Sequence, residues 1–457
     1  MRAPPSLLAG RLPPCSGQPP RSADRWRRRV TAAGRRRQQA GVALMAMLVL
    51  LTLWGLYLFA GQLNANQLLL ANARNGAAAL GQAREAVIGD AISRLPVNDA
   101  SYLRLPDLGF SPVGVLAEGF VSPNFAGNGK DSSVIGKFPW RTLGMAPLRD
   151  QRGQCLWYVV SGRFQKAIKT DMLNWDTQGQ ISVMDSNGNV VATNLAALIV
   201  APGRALEGQS HALADPVYAE CGGNYDARQY LDAFNNGNAI AGQVNYFAGS
   251  INNRVAADGS SKIFVGAETD FYNDRFLIIT VDDIFTPLIR RADFRDAIGA
   301  MLDYFKGQND AIKAQNDVIA AENVVRIQNG LEPLPLVAQV GVTGSKGVDG
   351  LDCGAAPDPA FCSNWKEMLL LTQLSAPAPI IIDGVASANC NRVLIFAGRK
   401  AAGQVRGTVA EKADKANYLE DQNASSFNVP VAVASVFRGS SVFDFRTPAA
   451  DLLRCLL

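Results

Sequence analysis

The sequence has one histidine in 457 residues and carries none of the common enzyme signatures. His211 has no second histidine with which to bind a metal, and as a catalytic base it would need a positioned nucleophile. There is no Gly-x-Ser-x-Gly elbow, phosphate-binding glycine loop, Cys-x-x-Cys pair or dinucleotide fingerprint. The polar segment Gly208-Gln-Ser-His-Ala predicts a solvated loop histidine. Nothing in the sequence requires an enzyme.

Charged residues of both signs are absent from Gln38 to Ala73. Within this stretch, the segment 42–60 is apolar except for Thr52. A helix of that length matches a hydrocarbon core of about 30 Å, so we predict a membrane-spanning helix over 42–60. Arginines 35–37 precede it and no basic residue follows it closely, which places the N-terminus in the cytoplasm and the body in the periplasm. The predicted location is the inner membrane, with a single pass.

The helical pattern continues beyond the apolar segment. Apolar residues recur at intervals of three, four and seven, at Leu63, Leu70, Ala73, Ala77, Leu80, Val87 and Ala91. Leu95-Pro96 is a natural stop, because the residue before a proline disfavours helix. We therefore predict one long helix over 42–94, amphipathic in its second half.

Acidic residues are nearly absent from the first 40 positions, which hold ten arginines and one acid, Asp24. The net charge of that segment is +9 and that of the whole chain is +4, so the remaining residues carry a net charge of −5. Proline, arginine and serine without apolar periodicity predict an unfolded basic leader over 1–41, within which Val30 is an alternative start. The mildly acidic body argues against nucleic acid as a partner.

Cysteine is scarce, with seven residues, of which Cys15 lies in the leader. The other six are Cys155, Cys221, Cys353, Cys362, Cys390 and Cys455. An even number suits disulfides in an oxidising compartment, although six cysteines allow fifteen connectivities. We favour Cys155–Cys221 and Cys353–Cys362, with the remaining two left to pair. Buried free thiols are the alternative.

The N-terminus resembles those of type IV pilins and type II secretion pseudopilins. The resemblance rests on Arg35-Arg-Arg-Gln-Gln-Ala-Gly41, then Val42-Ala-Leu-Met and a helix that turns amphipathic. It implies that a prepilin peptidase cleaves after Gly41 and methylates Val42. Most pilins have a glutamate at the fifth mature position, which neutralises a neighbouring N-terminus, whereas this chain has Ala46. The departure implies a minor subunit at or near a filament tip, and an uncleaved signal anchor is the alternative.

A second resemblance covers the first head module, 95–285. Phe138-Pro-Trp-Arg-Thr-Leu-Gly144 and the later Cys155-Leu-Trp-Tyr are similar to segments of large pilin-like proteins, in which the first would dock under the helix. Strands are predicted at 181–193, as a hairpin turned at Asn187-Gly188, and at 195–200. Segments 262–267 and 276–281 read as a further strand pair. Together they predict an antiparallel sheet packed on the helix.

The turn at 185–189 also spaces oxygen ligands as a calcium loop would, at Asp185, Asn187 and Asn189. A closing acid is missing, because the twelfth position is Ala196. We therefore prefer the turn interpretation, and calcium binding is the one cofactor alternative that we retain.

Beyond 285 we predict a helical connector, 286–330, and a second module, 331–457. Thr286-Pro287 suggests a helix start, Phe294 to Phe305 supply an apolar face, and a break is expected near Gly307. The second module repeats part of the first. Leu198-Ile-Val-Ala to Gly208-Gln matches Leu394-Ile-Phe-Ala to Gly403-Gln, Tyr230-Leu-Asp matches Tyr418-Leu-Glu, and Cys155-Leu-Trp157 is set against Cys362-Ser-Asn-Trp365. In the shared Gly-Gln pair we expect the glycine to adopt a positive φ and the glutamine to brace the backbone of its own loop, rather than to bind a ligand.

The predicted fold is thus α+β: a long N-terminal membrane helix packed on an antiparallel β-sheet head with an internally duplicated strand–loop–helix module. The predicted function is a non-enzymatic minor pilin- or pseudopilin-like subunit, at the tip or of low abundance, in a type IV pilus or type II secretion system. Its predicted partners are the inner membrane, other pilin or pseudopilin subunits and a prepilin peptidase. The alternative is a bitopic inner-membrane protein with a periplasmic ligand-binding or enzymatic domain unrelated to filaments.

Overall fold

The computed structural model describes the following residues: 35–109, 118–123, 133–166, 172–185, 187, 189–211, 220–221, 224–225, 227–232, 261–266, 268, 270, 272–432 and 436–457. At 35–41, 59–66, 261–265 and 432 only the backbone is described. Residues 1–34, which include most of the predicted leader with Cys15 and Val30, lie outside the described part. The chain divides into two compact units, Met1–Leu68 and Leu69–Leu457.

The helices are α1 (Arg35–Ser93), α2 (Val281–Leu288), α3 (Ala292–Gln328), α4 (Pro359–Trp365), α5 (Val409–Ala413) and α6 (Asp421–Ser426). Short 3₁₀ segments lie at Val97–Asp99, Gly162–Phe164, Ala227–Gln229, Lys366–Met368 and Lys415–Asn417. The strands are β1 (Val134–Lys137), β2 (Trp157–Val160), β3 (Ile181–Asp185), β4 (Val190–Leu195), β5 (Ala197–Ala201), β6 (Ser261–Val265), β7 (Arg275–Ile279), β8 (Leu369–Ile382), β9 (Val385–Phe396), β10 (Val431–Ala432), β11 (Arg438–Gly439) and β12 (Leu452–Leu456).

The expected membrane-spanning helix is the main correction to the predicted fold. Within the described residues, no helix combines the length and the apolar character that crossing a bilayer requires. The prediction of a membrane-spanning helix over 42–60 is therefore wrong.

From Gly76 onward, helix α1 buries one face in the head. Its buried residues are Gly76, Ala79, Leu80, Ala83, Val87, Ile88 and Ala91. The predicted apolar stripe is right at Leu80, Val87 and Ala91, and wrong at Leu70 and Ala77, which are exposed. Glycine at position 76 is required by packing, because a Cβ there would lie 2.8 Å from the backbone nitrogen of Gln151.

The first sheet has the strand order β1-β2-β5-β7 and is antiparallel throughout. Strand β5 is buried at every position because both faces of the sheet are covered. Ala197, Ile199 and Ala201 contribute to the core on the α1 side, whereas Leu198 and Val200 contribute to a second core. Alternation of side chains along a strand accounts for this division.

A second sheet, β4-β3-β6, covers the far side of the first. Strands β3 and β4 form the predicted antiparallel hairpin, although Gly188 of its turn lies outside the described residues. The predicted pairing of 262–267 with 276–281 is wrong. Strand β6 runs parallel to β3, whereas β7 completes the first sheet beside β5.

The third sheet has the order β10-β8-β9-β12, with β11 also paired to β8. The β8–β9 and β9–β12 pairs are antiparallel, and β10 and β11 are parallel to β8. Across its described residues the head is therefore mixed helix and sheet with three sheets, rather than a single antiparallel sheet. Its central core is aromatic, with Trp365 4.6 Å from Trp175 and 5.0 Å from Phe294 between ring centroids.

Helices α2 and α3 form the connector. Thr280 caps α2 in a capping box with Asp283, so the predicted start at Thr286-Pro287 is wrong and Pro287 lies inside α2. Helix α3 passes Gly307 without the predicted break. Its predicted apolar residues from Phe294 to Phe305 are buried.

The prediction of disulfide bonds is confirmed. The structure joins Cys155 to Cys221, Cys353 to Cys362, and Cys390 to Cys455. These are the pairs that the sequence favoured.

Candidate functional site

In the first unit, helix α1 exposes a run of large apolar side chains. Its large hydrophobic residues are exposed from Val42, at 71 %, to Leu58, at 47 %, with Leu51 and Leu56 between them at 57 % and 63 %. Isolated exposed apolar residues are ordinary on a protein surface, but a continuous surface of this kind marks contact with another molecule. This apolar segment, 42–58, is the first candidate functional site.

The predicted processing site lies at the start of that segment. Gly41 is part of the α1 backbone, and Val42 is the first residue whose side chain is described. Ala46, the fifth residue after Gly41, is exposed. The structure thus places Gly41 and Val42 at the junction between the basic sequence and the exposed apolar helix.

The predicted calcium ligands form a self-contained turn. The Asp185 Oδ1 accepts hydrogen bonds from the backbone nitrogens of Asn187 and Asn189, at 2.9 and 2.8 Å. The Asn189 amide nitrogen also donates to Asp185 Oδ2, at 2.9 Å. N–H donors therefore surround the carboxylate, and the described residues hold no group of three His, Cys, Asp or Glu side chains placed to bind a metal. These contacts do not fit a calcium site.

The two Gly-Gln loops make the same hydrogen bonds. Gly208 and Gly403 have φ values of 85° and 89°, a region that glycine occupies without strain. The Gln209 Oε1 accepts from the amide three residues earlier at 2.9 Å, and Gln404 Oε1 does likewise at 2.9 Å. Each glutamine then donates through Nε2 to a leucine carbonyl, Leu231 at 3.2 Å and Leu419 at 3.1 Å. Both glutamines therefore brace the backbone of their own module.

The match extends to the residues that follow each glutamine. In the first module the backbone amide of Ser210 donates to the side chain of Gln229, the residue before Tyr230. In the second module the amide of Val405 donates to the side chain of Asn417, the residue before Tyr418. Each such residue ends a 3₁₀ segment. The sequence match between Tyr230-Leu231 and Tyr418-Leu419 thus corresponds to one arrangement built twice.

Each of the two tyrosines lies between two partner side chains. His211 stacks on Tyr230 at 4.4 Å, and the equivalent Arg406 lies over Tyr418 at 4.3 Å. His211 is thus a packed side chain, not the solvated one that the sequence predicted, and burial lowers its pKa.

A lysine lies over the same ring in each module. Lys137 Nζ is 5.1 Å from the Tyr230 centroid, and Lys346 Nζ is 3.9 Å from the Tyr418 centroid. Lys137 donates to the Cys221 carbonyl and Lys346 to the Glu367 carbonyl. Burial lowers the pKa of each lysine to about 8. A cation over an aromatic face is favourable, and more so when it is removed from water.

One element of the proposed repeat does not hold. Trp157 lies in β2 opposite Val200, and the residue equivalent to Val200 is Phe396, which pairs with Leu369. Trp365 ends helix α4, four residues before Leu369, so it is not the counterpart of Trp157. The duplication therefore covers the central strand, the loop and the tyrosine segment.

A cleft of about 510 Å³ lies between the two modules and the start of α2. It is lined by Trp175, Asp176, Thr177, Gln178, Asn194, Thr280, Val281, Asp282, Arg399, Lys400, Arg406, Pro448 and Ala449. Arg406 pairs with Asp176 at 3.0 Å, and Arg399 pairs with Asp282. The two arginines are thus used to join parts of the head, so the charge lining this cleft is largely neutralised from within.

Sequence reasoning missed the roles of Arg406 and Lys346. The duplication could have indicated Arg406, because it occupies the position of His211 two residues after the glutamine. No sequence signal identifies Lys346, which lies in an irregular segment and reaches Tyr418 only through the fold.

No protein family, curated protein or solved structure matches the chain. The functional inference therefore rests on the residues and contacts described above.

Proposed function

We propose that this chain is a non-enzymatic minor subunit of a type IV pilus or a type II secretion pseudopilus, of low abundance or at the tip. Its mechanism is assembly. The apolar segment of α1 packs with helices of other subunits, after a prepilin peptidase has cleaved between Gly41 and Val42. The head faces outward in the periplasm, where three disulfides are stable.

The observation that carries the proposal is the exposure of the apolar segment 42–58 directly after Gly41. Burying it against neighbouring helices removes apolar surface from water at about 25 cal/mol per Å². The segment contains no charged residue, so it can enter a helical core without burying an unpaired charge.

The test is recovery of the chain in filaments. The full chain is expressed in cells that assemble the pilus or pseudopilus, and sheared filaments are probed for it. The paired change Leu51→Asp and Leu56→Asp should abolish recovery, because each would bury a carboxylate. The control is Val385→Asp, at a 69 % exposed position on the β8–β9 hairpin, which should leave recovery unchanged. Recovery of the double variant at the wild-type level would rule out assembly through this segment.

A further inference from the structure

Helix α3 leaves the core and continues as an arm. Its last buried residue is Asn309, and no residue from 310 to 328 is buried. The chain reverses at Gly330, whose φ is 70°, and an extended segment, 331–340, returns along the helix. We call residues 310–340 the arm.

Two asparagines fix the return segment on one face of the arm helix. Asn323 exchanges two hydrogen bonds with the backbone of Leu334, at 2.6 and 2.9 Å. Asn316 does the same with Val337, at 2.7 and 2.9 Å. The two asparagines are seven residues apart and therefore lie on the same side of the helix. Each side-chain amide pairs with the backbone as a neighbouring strand would.

The opposite face of the arm helix is uncovered and apolar. Its exposed residues follow each other at intervals of three and four, and we call them the arm stripe: Ala311, Ala314, Val318, Ala321, Val325 and Gln328. At 100° per residue this stripe is centred opposite Asn316 and Asn323. The spacing is that of coiled-coil seams, and three alanines allow a second helix to approach closely.

The borders of the arm stripe are acidic. Asp317 and Glu322 flank it, with side chains that are 64 % and 51 % exposed. Their partners, Lys313 and Arg326, lie further from the stripe on the same helix. Two arms placed face to face would bring like charges together, so the stripe fits a helix that is neutral or basic.

The chain itself presents such a helix in its second unit. The outward face of α1 between Leu70 and Ala78 has small apolar side chains, Ala71, Ala77 and Ala78, around a single charge, Arg74. Arg74 is exposed and makes no hydrogen bond or ion pair with any residue that the structure describes. No residue in the described part of the chain covers this face or the arm stripe, and both are exposed.

We propose that the arm stripe of one copy packs against the outward face of α1 in a second copy, with Arg74 between Asp317 and Glu322. The contact joins two different surfaces, so two copies can close into a reciprocal pair or further copies can continue it as an open row. It goes beyond the proposed function and does not depend on cleavage after Gly41.

Site-specific cross-linking between copies tests the contact. The background is the full chain with Cys15→Ser, kept in mild detergent. One preparation carries Ala314→Cys or Ala321→Cys on the arm, and the other carries Ala71→Cys or Ala78→Cys on α1. Mixing and mild oxidation should give a disulfide-linked pair that contains one copy of each. A cross-link reports this contact alone, even where the apolar segment 42–58 also associates.

The control is Ile327→Cys, which is 63 % exposed on the same helix but away from the arm stripe, and which should not cross-link. Arg74→Glu should lower the yield about tenfold by placing like charges together, and Glu322→Arg in the arm partner should restore it. Equal yield from Ile327→Cys, no response to Arg74→Glu, or efficient linkage between two arm cysteines would each overturn the proposal. The chain for this test is purified from cells that lack a prepilin peptidase and so keeps its leader, and a failure here leaves the filament test unaffected.

Discussion

Arg406 and Asp176 form an ion pair, with 3.0 Å between Nη1 and Oδ2, whose side chains are only 1 % and 2 % exposed. The guanidinium also donates to the carbonyls of Gly398 and Asn417 and lies over Tyr418. Arg406 belongs to the duplicated loop of the second module, whereas Asp176 belongs to the first. The pair therefore ties the two modules together inside one core.

Removing one partner of this pair should be costly. Arg406→Met leaves the Asp176 carboxylate buried without its cation, which should lower the free energy of unfolding by about 3–5 kcal/mol. Urea denaturation of the single variants and of Arg406→Met with Asp176→Asn measures the coupling, and the double variant should lose less than the two single losses combined. The control, Asp282→Ala, breaks the exposed pair with Arg399 and should cost under about 1 kcal/mol. Additive losses would contradict a coupled pair.

The duplicated glutamines should contribute similarly to stability. Gln209→Ala and Gln404→Ala each remove one acceptor and one donor that brace a loop, and each should cost about 1–3 kcal/mol. Thermal or urea unfolding of both variants checks this. Gln422→Ala, in helix α6 outside both loops, serves as a control. A large loss for one glutamine and none for the other would show that the two loops are not equivalent.

Asp451 should make stability depend on pH. Burial raises its pKa from 3.8 to about 7, although Asn423 donates a hydrogen bond to it at 2.8 Å. A folded-state pKa above the unfolded value means that the folded chain holds the proton more tightly. The protonated Asp451 carboxyl therefore contributes its whole stabilisation below about pH 4, and that stabilisation is lost as the pH rises through about 7.

The measurement is the difference in unfolding free energy between the wild type and Asp451→Asn, from pH 4 to pH 8. The unfolding free energy of the wild type should fall relative to that of Asp451→Asn as the pH rises. The total fall should be about 1.4 kcal/mol for each unit by which the pKa of Asp451 in the folded chain exceeds its pKa in the unfolded chain. Gln422→Ala, at an exposed position with no titratable group, serves as the control and should show a difference that does not depend on pH. A pH-independent difference for Asp451→Asn would contradict a buried, protonated carboxyl.

Local chemistry was readable from the sequence where neighbours in the chain make the contact. The hairpin of β3 and β4, the buried strand β5 and the Gly-Gln bracing all follow from turn residues and short-range patterns. Helix α2 was misplaced because Thr280 and Asp283 form a better cap than Thr286 does. A cap depends on a side chain reaching a specific amide, which the sequence alone does not decide.

Contacts between distant segments were not readable. Strand β6 joins β3 and β7 joins β5, a choice set by the two packed sheets rather than by the turn between β6 and β7. The buried face of α1 is rotated away from Ala77 because the head meets the helix at Gly76 and Ala79. The arm was missed because Asn316 and Asn323, seven residues apart on a helix, read as ordinary polar positions.

The most direct test of the account is the mass of the chain's N-terminal peptide, isolated from cells with an active prepilin peptidase. We predict that the mature chain starts at N-methyl-Val42. Gly41→Ala should block this processing, whereas Gly55→Ala, where an added methyl group meets nothing within 4 Å, should not. An intact leader in the wild-type chain, or unchanged processing of Gly41→Ala, would contradict the account.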